Sequence, residues 1–172
     1  MKISSFLKNA SLAFVLSAVL FFTGCATCCR TSQKSQDSNS GSSQSQSFDG
    51  VKSRVWQLAR VRDSSGTVTF DASKLDKTKF GDIYTLQFND TLAFGKASPN
   101  RYTGPYTLGE NNAIAFKQMA STLMMGLFTP DGLTEQEFFG LLVNSTRWSY
   151  DRNQFTLYNS DGNTLIFEEY KK

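Results

Sequence analysis

Three cysteines, Cys25, Cys28 and Cys29, stand within five positions of a 172-residue chain that contains no histidine. Thiol chemistry is therefore confined to one short segment, and imidazole chemistry is absent. Zinc sites with histidine ligands, Ser-His-Asp triads and Cys-His pairs are excluded. No cysteine follows Cys29, so the last 143 residues hold no thiol nucleophile, cysteine metal site or internal disulfide. Carboxylates offer the other route to catalysis, because a glycosidase needs two at a controlled separation with one pKa raised. Here Asp90, Glu110, Asp131, Asp151, Asp161 and the pair Glu168-Glu169 fall in turn-like or exposed contexts. No Gly-x-Ser-x-Gly, Ser-x-x-Lys, phosphate-cradling glycine loop or dense acidic calcium loop occurs. The chain reads as a non-enzyme without cofactor or metal. Only a site assembled from distant carboxylates, or from Ser and Lys, would change that.

The surroundings of Cys25 give it a role. Lys2 and Lys8 precede an apolar run of 13 residues, Ala10 to Phe22, which leads to the small residues Thr23 and Gly24. Such a run is shorter than the ~20 residues needed to span a bilayer. Phe22-Thr23-Gly24-Cys25 resembles the bacterial lipobox, with Phe22 where leucine is commonest. That resemblance implies a signal peptide over residues 1–24, acylation of Cys25 and anchoring by acyl chains, each buried methylene contributing about 0.8 kcal/mol. Ala26, in place of aspartate after the acylated cysteine, implies onward transport to the outer membrane of a diderm bacterium. Cys28 and Cys29 keep two readings, pairing between molecules or free thiols near the membrane.

Charge narrows the partners. Setting aside Lys2 and Lys8 leaves 16 basic against 15 acidic side chains. Arg60, Arg62, Lys74, Lys77 and Lys79 are interspersed with Asp63, Asp71, Asp76 and Asp82. A nucleic-acid binder clusters its cations on one face, so the expectation is a mixed solvated surface and no nucleic acid. The expected partners are the membrane, through the acyl chains, and envelope proteins.

These features must be carried by a tether and a domain. Thr31 to Ser47 holds eight Ser and four Gln in 17 positions. That composition cannot offset its ordering entropy, and random-coil scaling gives a reach of about 20–25 Å. Residues 25–50 are thus expected to be an acylated start and tether, and residues 51–172 one domain. Its patterning is mostly period two: Tyr84-Leu86-Phe88, Leu92-Phe94, Tyr102-Gly104-Tyr106-Leu108, Ile114-Phe116, Phe155-Leu157 and Leu165-Phe167. Turn signals at Asn89-Asp90, Gly109 to Asn112, Asp151 to Asn153 and Ser160 to Asn163 separate these runs. The expected fold is a β-rich α+β domain, a small antiparallel barrel-like sheet with one helix packed against it. The helix runs over about 135–144, because Thr134-Glu135-Gln136-Glu137 is a capping box followed by Phe138, Leu141 and Leu142.

Two passages carry a family resemblance. Ser98-Pro99-Asn100-Arg101-Tyr102-Thr103-Gly104-Pro105-Tyr106 matches Gly-Cys-Asn-x-aromatic-x-Gly-x-Tyr except at Ser98 and Pro99. Ser121-Thr122-Leu123-Met124-Met125-Gly126 matches Thr-x-Met-x-Cys except at Gly126. With Val55-Trp56-Gln57-Leu58 before them and a closing hairpin at Asp161-Gly162, the set resembles the META/HslJ-like family over nearly all of residues 51–172. The resemblance implies a role in envelope maintenance or stress tolerance. It also implies a cysteine pair at the two departures, Pro99 and Gly126. A bridge there would close a 28-residue loop, a contribution of roughly 3–4 kcal/mol. Without it the segments must be held by packing, for which Met124, Met125, Leu127 and Phe128 are at hand.

The motif residues Asn100, Arg101, Tyr102, Gly104, Tyr106, Thr122 and Met124 are read as maintaining the fold. Asn100 before a strand satisfies backbone groups, and Gly104 marks a close backbone approach. The alternative function is a carrier of a small apolar ligand or lipid in a barrel cavity. Against it stand 18 aromatic residues in the domain, enough to fill a small barrel.

Overall fold

The computed structural model describes residues 47–126 and 130–171. The expected signal peptide, Cys25 with its neighbours, nearly all of the tether, and Leu127 and Phe128 lie outside them.

The period-two runs become strands. In chain order they are β1 (Trp56–Arg62), β2 (Val68–Asp71), β3 (Thr85–Phe88), β4 (Leu92–Lys96), β5 (Arg101–Leu108), β6 (Ile114–Phe116), β7 (Ala120–Ser121), β8 (Ser145–Asp151), β9 (Gln154–Asn159) and β10 (Thr164–Glu169). Their order in the sheet is β6-β5-β4-β3-β1-β10-β9-β8, with β2 added to β1 and β7 to β5. The two ends of this path meet. Ala113, just before β6, bridges to Arg147 in β8, and Trp148 N–H donates to the Asn112 carbonyl at 2.9 Å. The sheet is antiparallel and nearly closed, which leaves few unpaired edges.

The turns follow their chemistry. Asn89 turns β3 into β4, its side-chain oxygen accepting from Thr91 and Leu92 N–H at 3.0 and 2.7 Å. Asn111, Asn112 and Arg152 have positive φ between β5 and β6 and between β8 and β9, and Gly162 does so between β9 and β10.

Among the described residues three short α-helices accompany the sheet, α1 (Asp49–Lys52), α2 (Lys77–Phe80) and α3 (Glu135–Val143), with a 3-10 turn at Ala72–Lys74. The α3 capping box forms with both reciprocal bonds. Phe138 and Leu142 of α3 are fully buried.

Aromatic side chains fill the barrel in two groups. Phe48 meets Phe88, Tyr106, Trp148 and Phe155 with ring centroids 5.0–6.2 Å apart. Tyr84 meets Phe70 and Phe138, which in turn meets Tyr102. Such pairs add about 0.5–1.5 kcal/mol each beyond area burial. Buried polar tips are satisfied by backbone: Trp56 Nε1 donates to the Val51 carbonyl, and the Tyr84 hydroxyl to that of Leu133.

Within the tether and strands the structure differs from the sequence reading in three places. Phe48, expected in the tether, is buried, so packed chain begins ahead of residue 51. In β4 it is Ala93 that faces the core, while Leu92 and Phe94 lie on the other, half-covered face. Leu108 is exposed, because β5 outruns the core at its C-terminal end.

Candidate functional site

The two motif passages meet at the start of β5. Asn100 immediately precedes that strand, and β7 pairs with it through Tyr102–Ser121 and Thr103–Ala120, which sets Thr122 beside Arg101. Arg101 N–H donates to Thr122 Oγ1 at 3.2 Å, and Thr122 N–H to the Arg101 carbonyl at 3.0 Å. The N-terminus of α3 supplies a third arm, Glu135.

Asn100 is the hub of these segments and is buried. Its Oδ1 accepts from Thr122 Oγ1 at 2.8 Å and from Met124 N–H at 2.7 Å. Its Nδ2 donates to Glu135 Oε1 at 3.1 Å and to the Met124 carbonyl at 3.4 Å. Its backbone N–H reaches Glu135 Oε2 at 3.2 Å, and its carbonyl accepts from Ala97 N–H at 2.7 Å. Two acceptor positions and two donors exhaust the capacity of the amide. Pro99 and Gly126 line one cleft beside this hub. The two segments are therefore joined by an asparagine network. Met124 and Met125 do not provide the packing expected of them, since they are 63% and 98% exposed.

The other motif residues surround the hub. Tyr102 and Tyr106 are buried, and their hydroxyls donate to the carbonyls of Thr85 and Asn89, each at 2.7 Å. Burial pushes both phenols above their ordinary pKa. Gly104 faces Met119 so closely that a Cβ would come 2.5 Å from its sulfur. Arg101 is exposed. Sequence reasoning missed Glu135, which reads as an ordinary first helical residue and lies 35 positions from Asn100. It also missed Gly95, where a Cβ would come 1.9 Å from the Thr85 carbonyl oxygen. No local pattern announces either.

Two open clefts flank this region. One, of about 470 Å³, runs between β1, β2 and α2, lined by Gln57, Arg60, Asp71, Phe80 and Tyr84 among others. The other, of about 450 Å³, is lined by Phe80, Ile83, Pro99, Met124, Lys79, Lys96 and Arg101 among others. The carboxylates whose pKa moves are all held below the usual range. Asp63, Asp71 and Asp76 are lowered chiefly by hydroxyl donors of Ser65, Ser73 and Thr78, and Glu137 by the backbone N–H and hydroxyl of Thr134. Among the described residues no three Asp, Glu, Cys or His side chains gather as a metal site. Among them, too, no helix is long and apolar enough to cross a membrane.

Comparison with known proteins places this architecture. The META domain matches residues 49–172. No curated protein matches the chain. An NMR structure of a protein from Burkholderia xenovorans is similar with a TM-score of 0.58 and 23% identity, over 73% of this chain and 87% of that one. A crystal structure of a DUF4847 family protein from Bacteroides vulgatus is similar with a TM-score of 0.51 and 16% identity, over 73% and 98%. At such identity the likeness extends to the fold alone. Together with the nearly closed sheet and the Asn100 hub, the match over residues 49–172 shows that the chain belongs to the META domain family.

Proposed function

We propose that this chain is a non-catalytic, lipid-anchored protein of the cell envelope, whose META domain serves envelope maintenance or stress tolerance by binding a protein partner. Export and anchoring rest on the sequence, in which a basic start, an apolar run and Phe22-Thr23-Gly24-Cys25 fall in order. Acylated Cys25, followed by Ala26, directs the chain to an outer membrane.

The observation that carries the non-catalytic reading is the saturation of Asn100. Polar groups from three separate segments converge there, as they would in an active site, yet every amide position is used to join those segments. The lowered carboxylates agree, because a general acid at neutral pH needs its pKa raised. The barrel interior weighs against a carrier. Trp56, Tyr84, Phe138, Phe155 and Phe167 are fully buried there and occupy the space an enclosed ligand would need.

Pull-down from cross-linked membranes, with wild type and Cys25→Ser, tests the interaction role. Recovery of one stoichiometric envelope protein with wild type is expected. Recovery of a specific lipid inside the domain, with no protein partner, would replace this reading by the carrier.

A further inference from the structure

The loop that follows β7 leaves large apolar side chains in water. Leu123, Met124 and Met125 are 100%, 63% and 98% exposed. Three such residues in a row mark a contact surface, whereas single exposed apolar residues need no explanation. The loop borders the second cleft, whose walls also hold Lys79, Lys96 and Arg101. Lys96 is paired with Asp82 at 2.6 Å, and Lys79 lies 3.7 Å from Asp76. Among the described residues no carboxylate pairs with the Arg101 guanidinium.

An apolar tip beside cations suits an interface between acyl chains and phosphate headgroups. The apolar side chains enter the acyl boundary while the cations meet anionic headgroups. We propose that Leu123, Met124 and Met125, with Arg101, dock the domain onto an anionic phospholipid surface. The docking rests on the anchored reading in one respect: acylation of Cys25 would bring the chain to a membrane surface.

Hydrogen exchange of the full acylated chain on vesicles tests it. On vesicles containing phosphatidylglycerol, amides of residues 122–126 are expected to exchange about tenfold more slowly than on phosphatidylcholine alone. Arg101→Gln is expected to remove about a fivefold share of that protection, the factor supplied by one surface cation. Leu123→Ser with Met125→Ser should abolish it, and both positions are exposed enough to leave the fold intact. A chain that stays on the vesicles with an unprotected loop would overturn the docking and leave the anchor standing. Equal protection by monomeric decyl phosphate would overturn it in favour of a single amphiphile in the cleft. A Cys25→Ser chain that keeps its loop protection would uphold the docking as independent of the anchor.

Discussion

Asn100 explains how this domain dispenses with the bridge its relatives are expected to carry. Its amide holds Thr122, Met124 and Glu135 at once, so Asn100→Ala leaves several partly buried groups without partners. We expect a loss of about 2 kcal/mol in urea unfolding, with Asn100→Asp also destabilising through repulsion from Glu135. Pro99 and Gly126 line the same cleft. The family resemblance implies a cysteine pair at these two positions, so Pro99→Cys with Gly126→Cys is expected to form an internal disulfide under oxidation, identified by peptide mapping, and to stabilise the domain by up to about 3 kcal/mol. Failure of the pair to cross-link in the folded protein would contradict that placement. The sequence made Asn100 and Thr122 visible because both stand in short motifs at fixed spacing. Glu135 was not legible, since a contact across 35 positions leaves no periodic trace. The methionines misled for the opposite reason: apolar character suggests burial, but these side chains sit on a loop outside the core.

Elements were more legible than contacts. The α3 boundary followed from its capping box, in which Thr134 and Glu137 satisfy each other's backbone donors. Thr134→Ala is expected to cost about 1 kcal/mol. The bonds from Thr134 hold the Glu137 carboxyl below its ordinary value of 4.5. A depressed folded pKa contributes stability that is present above the unfolded value and is lost as pH falls through the folded one. Stability should thus decline on acidification below about pH 4.5, and Glu137→Gln should flatten part of that slope in pH-dependent unfolding. Asp63, Asp71 and Asp76 shift in the same direction and account for further slope. Strand β4 was legible in existence but not in phase. Leu92 and Phe94 are the larger apolar residues, yet Gly95 must pass so close to Thr85 that Ala93 is the side chain turned to the core. Gly95→Ala is expected to cost about 3 kcal/mol by overpacking against that carbonyl.

For the whole molecule, period-two runs broken by turn residues were enough to indicate a barrel-like sheet, but the strand order was not. Closure depends on Ala113 meeting Arg147 and on Asn112 meeting Trp148, pairings set by tertiary packing of the aromatic core. The filled core, the exhausted polar hub and the apolar tip beside Arg101 are the features on which the proposed surface role rests. In that proposal the membrane location depends on Cys25. The central claim is that Cys25 holds the domain at a membrane, and intact-mass analysis of the chain extracted from membranes tests it most directly. We expect a protein beginning at Cys25, with the mass of a diacylglyceryl group and further acyl chains added, and with no such species for Cys25→Ser. A membrane-extracted or secreted chain that begins elsewhere, or that begins at an unmodified Cys25, would contradict the claim.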